Sequence, residues 1–245
     1  MLRPATVVPD AAPARVDVRP EPPRRVSRLF RRSAQYFGLA ALLFFGSLAL
    51  RPYVSQNLGV IAPGRALRSA QPTSGLKGLI DEHRLASILN LRGGEPGDDW
   101  YAHEVRTTAG AGVDFFDLPL SAVRRPSRRE LLLLIDVLVA ARPPLLIHCR
   151  AGADRTGLAT VVYNLMVLGR PPEEAMAAFT VFHGHFPIFG TQHLHEPIDE
   201  YAAWLKERGL SHAPDRFRRW AREEYRAPDP PGDPRPLPAG PRRPK

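Results

Sequence analysis

Residues 145–157 read Leu145-Leu146-Ile147-His148-Cys149-Arg150-Ala151-Gly152-Ala153-Asp154-Arg155-Thr156-Gly157. Leu145–His148 is a short apolar run behind Pro143-Pro144, as expected of a buried central strand. From residue 156 to 168 the pattern is helical, and Gly169 stops it. Between strand and helix sits a tight loop that opens on the only cysteine of the chain. The successive N–H groups of such a loop can all turn inward, and the helix that follows adds the positive end of its dipole. The result is an anion cradle lined by Arg150, Ala151, Gly152 and Ala153. The same field favours thiolate over thiol at Cys149. Gly152 permits a backbone conformation that a Cβ would obstruct. Arg155 closes the cradle with a planar fork that matches two phosphate oxygens. A thiolate held there can attack phosphorus in line and form a phosphocysteine. A lone cysteine is otherwise a small buried hydrophobe; this setting selects the nucleophile, and no internal disulfide is possible.

Outward from the loop, short apolar runs alternate with helical patterns. Upstream, the order is an edge strand at Ala66–Ser69, a helix over 75–83, a strand at Leu85–Leu91, a helix over 98–109 and a strand at Val113–Leu118. Ser127 followed by Glu130 is a capping-box pattern, opening a helix that runs to about Ala141. Downstream, a helix begins at Pro171 or Pro172, with Glu173 and Glu174 in its first turn. Residues 183–195 are irregular, and helices are expected over 197–208 and 214–225. Alternation of this kind predicts an α/β domain over residues 60–225 with a central, mainly parallel sheet flanked by helices.

The string His-Cys, five residues, Arg-Thr-Gly resembles the signature of the cysteine-dependent protein tyrosine and dual-specificity phosphatase superfamily. The resemblance covers roughly residues 60–208. Arg68-Ser69-Ala70-Gln71-Pro72 and Asn90-Leu91-Arg92 are also similar to fragments of its bacterial and plant-fungal atypical dual-specificity branch. The resemblance implies Cys149 as nucleophile and Arg155 as phosphate clamp, with Arg92 among the substrate-binding residues. It implies that the Thr156 hydroxyl stabilises the departing thiolate, and that His148 holds the loop and tunes Cys149. It implies hydrolysis of phosphotyrosine or phosphoprotein, or of phosphorylated lipid or inositol substrates, with no metal or other cofactor.

This superfamily also needs a general acid for the leaving oxygen, usually an Asp on a loop after an upstream strand. Here that loop is Leu120-Ser121-Ala122-Val123, without an Asp. Asp117 is close but sits on the strand, and Asp114 lies earlier on the same strand. Asp154 stands in the cradle loop directly before Arg155, as in myotubularins and some bacterial lipid and tyrosine phosphatases, where that Asp is assigned as the acid. Its bland role is to shape the loop; the bland role of Asp117 is a strand-end hydrogen bond or ion pair. Asp154 and Asp117 both remain candidates.

Two other functions compete. A rhodanese-like sulfurtransferase also uses a Cys in a backbone loop, but its loop lacks the Arg-Thr-Gly ending. A pseudophosphatase that binds phosphorylated ligands is favoured by the missing loop Asp and opposed by the presence of both Cys149 and Arg155. His183, His185, His193 and His195 offer His-x-His twice, yet no carboxylate or Cys completes a metal set, so packing or contact with the substrate rim is expected. Arg124, Arg125, Arg128 and Arg129 read as a solvated helix start before a polyanion site.

The whole chain sets the outer bounds. Its 245 residues are 44% hydrophobic, enough for one cored domain with tails. Proline clusters within 4–23 and 227–244, so 1–32 and 226–245 read as disordered. The net charge of +9 suits phosphate-bearing substrates or anionic lipid; no base-reading motif points to nucleic acid. Residues 33–50, SAQYFGLAALLFFGSLAL, are 18 residues without a charge, bracketed by Arg31-Arg32 and Arg51. At about 1.5 Å per residue they extend roughly 27 Å, the thickness of a bilayer core. Arginines crowd the upstream side, so the positive-inside rule predicts a single-pass anchor with the catalytic domain on the non-cytoplasmic side. Ser47-Leu48-Ala49 resembles a cleavage site and gives the alternative of a secreted or periplasmic domain. A buried helix of the globular domain is the third reading.

Overall fold

Among the residues described by the computed structural model (26–54, 56–73 and 75–229, with side chains in the first helix for 30–47), five short strands make one sheet. They are β1 (Gly59–Ala62), β2 (Ala66–Ser69), β3 (Ser87–Asn90), β4 (Asp114–Asp117) and β5 (Leu145–His148), in the spatial order β1-β2-β5-β3-β4. β2, β5, β3 and β4 are parallel, and β1 is antiparallel to β2. The last rung is continuous: Ser69 pairs with His148, His148 with Asn90, and Asn90 with Asp117. All four parallel strands therefore end on one edge, with β5 central. A crevice outside the carboxyl ends of such strands is where α/β sheets place their ligands.

In chain order α1 (Val26–Val54) comes first, and among the described residues seven α-helices accompany the sheet: α2 (Leu76–His83), α3 (Asp99–Gly110), α4 (Arg128–Ala140), α5 (Asp154–Met166), α6 (Pro172–Ala175), α7 (Glu196–Glu207) and α8 (Pro214–Glu223). Both sheet faces are covered, so successive residues in the middle of β3, β4 and β5 are apolar although they point to opposite faces. Leu89, Phe116, Leu145 and Ile147 join the large cluster with Leu131, Leu134, Leu158 and Val162 of α4 and α5. Ile88 and Leu146 point the other way, to Leu76 and Ile80 of α2. Each such burial is worth about 1.5–3 kcal/mol. α5 runs through the middle, with every residue from Thr156 to Met166 buried. α4 starts where the sequence places it: Ser127 accepts from Glu130 N, and the Glu130 carboxylate accepts from Ser127 N.

β1 has no counterpart among the sequence expectations, and it makes the sheet mixed rather than wholly parallel. Its signal is the turn Ala62-Pro63-Gly64-Arg65, in which Arg65 N donates to Ala62 O and Gly64 has φ +67°. Pro then Gly in the two central positions is what such a turn demands.

The membrane expectation is corrected. Among the described residues, no helix is long and apolar enough to cross a membrane. The described side chains of α1 begin at Phe30 and include Arg31, Arg32, Ser33 and Gln35, which dilute the apolar run that follows. A span needs about 20 predominantly apolar residues. The single-pass placement of 33–50, with the catalytic domain on the non-cytoplasmic side, is overturned with it. The cleavage alternative falls partly on the side chains of 48–54, outside those described, as do residues 1–25 and 230–245 of the two tails. The chain divides into a unit up to Phe44 and a unit from Phe45 that holds the sheet.

Candidate active site

β5 delivers His148 to the last rung, and the backbone then leaves the sheet through Cys149 to Ala153 before α5 begins at Asp154. Four consecutive carbonyls of this loop are held from outside. Arg150 O accepts from Gln71 N at 3.2 Å, and Ala151 O from Asn57 Nδ2 at 2.9 Å. Gly152 O and Ala153 O accept from Arg68 Nη2 at 2.9 and 3.3 Å. In a planar trans peptide the N–H lies opposite the C=O. Carbonyls tied outward from 150 to 153 therefore turn the amides of 151 to 154 inward, which is the geometry of an anion nest. Arg68 is only 3% exposed and also donates to Ala178 O, so it bridges β2, the loop and the segment after α6.

Gly152 is required twice over. Its φ is +69°, and a Cβ there would meet the backbone of Ser69 and Ala70 at 2.6 Å. The loop rests directly on the end of β2, and only glycine allows that approach.

Cys149 is buried. The Arg155 side chain crosses back to the ends of β3 and β4, where Nη1 donates to Leu91 O at 3.3 Å and Leu120 O at 3.4 Å. Its Nε is buried without a protein partner, and so is the Thr156 hydroxyl. Buried polar atoms are paired in almost all proteins. Two unpaired ones beside a nest of inward amides are suited to an anion.

His148, fully buried, has Nε2 at 2.7 Å from Glu104 Oε1 on α3. Gln71 Nε2 donates to the other oxygen, Oε2, at 2.9 Å. A buried carboxylate thus ties the strand before Cys149 to the segment after β2. Glu104, Arg68 as a loop brace and Asn57 were not expected as site residues. Arg68 and Gln71 lie in a fragment noted for its resemblance, whereas Glu104 is one acidic residue of a half-exposed helix and carries no local signal.

Asp117 ends β4, and Tyr101 Oη donates to its Oδ2 at 2.8 Å. Burial, then the hydrogen bond to Asp117, pushes the Tyr101 phenol up, so it stays a donor. Asp114 accepts from Arg142 Nε at 2.7 Å. The loop 120–123 has no carboxylate; Leu120 is buried and Val123 packs against Gly190. Asp154 occupies the first position of α5, with Oδ1 at 2.8 Å from His185 Nδ1.

Arg92 lies over the Trp100 ring at 3.7 Å from its centroid. Burial lowers it, and Arg150 and then Arg155 lower it further by like-charge repulsion, while Asp98 and Glu104 oppose them. Arg92, Arg150 and Arg155 thus share one basic neighbourhood. Arg124 and Arg125 are committed elsewhere. Arg124 pairs with Glu130 at 2.7 Å, and Arg125 reaches Glu200 at 2.8 Å and Glu196 at 3.3 Å. The histidines go to separate partners: His183 to Asn57, His185 to Asp154 and His195, His193 to Glu196. Among the described residues, no three His, Cys, Asp or Glu side chains are grouped to hold a metal ion.

Residues 100–183 match the model of the tyrosine phosphatase family. No curated protein matches the chain. Solved structures that resemble it include TpbA of P. aeruginosa, with 22% identity over 62% of this chain and 92% of that one and a TM-score of 0.49. The core catalytic domain of the PP-IP phosphatase SIW14 from S. cerevisiae, in complex with citrate, has 20% identity over 62% and 93%, with a TM-score of 0.46. An active form of Tk-PTP has 21% identity over 60% and 97%, with a TM-score of 0.44.

Proposed function

We propose, for a chain that belongs to the cysteine-dependent protein tyrosine and dual-specificity phosphatase superfamily, that it hydrolyses phosphomonoesters in two steps through a phosphocysteine on Cys149. The inward amides of 151 to 154 and the Arg155 guanidinium bind the three non-bridging oxygens of the phosphoryl group. The Cys149 thiolate attacks phosphorus as the bond to the leaving oxygen breaks, and a carboxylic acid gives that oxygen its proton. Water then attacks the phosphocysteine, the carboxylate takes the water's proton, and Cys149 departs as thiolate. The unpaired Thr156 hydroxyl is the donor available to that thiolate.

One observation carries this reading: four successive loop carbonyls, 150 to 153, are tied outward. Asp154 is assigned as acid and base before Asp117. Asp117 sits on the last rung of β4, two strands from β5 and hence about 10 Å away across the sheet, and Tyr101 holds it there. The substrate is a phosphorylated protein or a phosphorylated lipid or inositol. Arg92 and Arg150 beside Arg155 favour one with a second anionic group next to the scissile phosphate.

Turnover of a generic aryl phosphate is the test. It should vanish in Cys149→Ser, while inorganic phosphate still binds, because the cradle survives the substitution. Near-normal turnover in Cys149→Ser would end the reading, and phosphate binding with no turnover in the unsubstituted chain would make it a binding protein. A panel of phosphopeptides against phosphoinositides and inositol phosphates then assigns the substrate.

A further inference from the structure

The proposed acid does not stand alone. His185 is 3% exposed and touches Asp154 on one side and a second imidazole on the other. Its Nδ1 is 2.8 Å from Asp154 Oδ1, and its Nε2 is 2.8 Å from His195 Nε2. Phe179 backs both rings, with its centroid 4.4 Å from each. Phe179 lies in turn against α5, where a Cβ on Gly157 would meet it at 2.7 Å. The three-member chain Asp154–His185–His195 therefore has an aromatic wall and a helix behind it.

The hydrogens of this chain can be counted. A neutral imidazole has one N–H and one bare nitrogen. When His185 gives Nδ1–H to an ionised Asp154, its Nε2 must accept, and His195 must donate from Nε2. When Asp154 is protonated on Oδ2, Oδ1 still accepts from His185 Nδ1–H, and both rings keep their hydrogens. The two arrangements differ by one proton, carried on Oδ2, which gives it to the leaving oxygen in one step and takes one from water in the next. No heavy atom has to move. A group that acts as acid in one step and base in the next needs both states in one geometry.

We propose that His185 and His195 are positioning residues, which fix the Asp154 carboxyl by one oxygen and support it in both protonation states. This rests on the assignment of Asp154 as the acid. Burial first, and then His185, lowers His195, which suits a neutral His195 ring. The charged groups around the pair are Asp154 on α5 and Asp199 on α7, the second of which raises His195 against that trend.

The test uses the full chain, an alkyl phosphate and an activated aryl phosphate. His185→Ala should lower kcat on the alkyl ester by about tenfold or more, a part of the ~10²–10⁴ that proton transfer contributes. KM should stay within about twofold, and the aryl ester, whose leaving group needs little protonation, should suffer less. His185→Asn keeps an N–H at the Nδ1 position and should recover most of kcat. His195→Gln keeps a donor toward His185 and should fall less than His195→Ala. Equal losses on both esters in His185→Ala, or a loss that follows thermal stability and is not rescued by Asn, would reduce the pair to packing and overturn the proposal. Asp154→Asn, run alongside, separates the two levels. If it shows no leaving-group dependence, the assignment of the acid fails and takes the pair with it. If it shows that dependence and His185→Ala does not, the positioning role alone fails.

Discussion

At the residue scale, the two open roles belong to Asp154 and Arg155. Asp154→Asn should cut turnover of alkyl phosphates by roughly 10²–10⁴-fold and that of an activated aryl phosphate much less. Asp117→Asn should lower both substrates alike, through the loss of its contact with Tyr101. Steady-state kinetics on the two esters decides it: leaving-group dependence confined to Asp117→Asn would transfer the role. Arg155→Lys should also be severely impaired. A lysine carries the charge but neither the fork nor the reach to Leu91 O and Leu120 O from which Arg155 is held.

At the element scale, the cradle depends on the end of β2 as much as on its own sequence. Arg68 donates to three backbone carbonyls on two segments, and hydrogen bonds from a charged donor contribute about 1.5–3 kcal/mol each. Arg68→Met, of similar length, should free Gly152 O and Ala153 O to turn inward. Phosphate affinity measured by calorimetry should drop by about tenfold or more, with a lowered Tm; unchanged affinity would mean that the loop holds its shape unaided. The same contacts show where sequence is legible. The proposed nucleophile and clamp, and the strand–loop–helix order, rest on neighbours in the chain, so they can be read from residues 145–157. The capping box at Ser127 and Glu130 is local for the same reason. The brace from Arg68, the partner Glu104 of His148 and the partner His185 of Asp154 are separated from the loop by tens of residues. Arg68 lies in the fragment that carries the resemblance and His185 in a His-x-His pair, but Glu104 has no local signal. The partner each one meets is set by the tertiary fold and not by its neighbours in the chain. The four histidines of 183–195 read as packing or rim residues; His185 and His195 lie against each other and His185 against Asp154, a distinction set by their partners and not by their spacing.

At the scale of the whole molecule, acid should loosen the packing of α7 and α8 on α5. His212 donates from Nε2 to Leu165 O at 3.1 Å, and its Nδ1 is 3.0 Å from Tyr201 Oη, which donates to it when the ring is neutral. Burial lowers its protonation point below the unfolded value of about 6.5. The stability it contributes is therefore present above about pH 6.5 and is lost as pH falls through the lowered value. Tm should decline by a few degrees on acidification from about pH 7 to about pH 5, at roughly 2–4 °C per kcal/mol for a domain of this size. His212→Gln should be less stable at neutral pH and should decline less steeply; an identical slope would remove His212 from the account.

The covalent intermediate is the most direct test of the central claim. The unsubstituted chain, mixed with an activated aryl phosphate, quenched in acid during turnover and digested, should yield the peptide that contains Cys149 with a phosphoryl group on its sulfur. Cys149→Ser should yield neither the adduct nor the released phenol. Turnover that persists in Cys149→Ser, or a phosphoryl group found on another residue, would contradict the account.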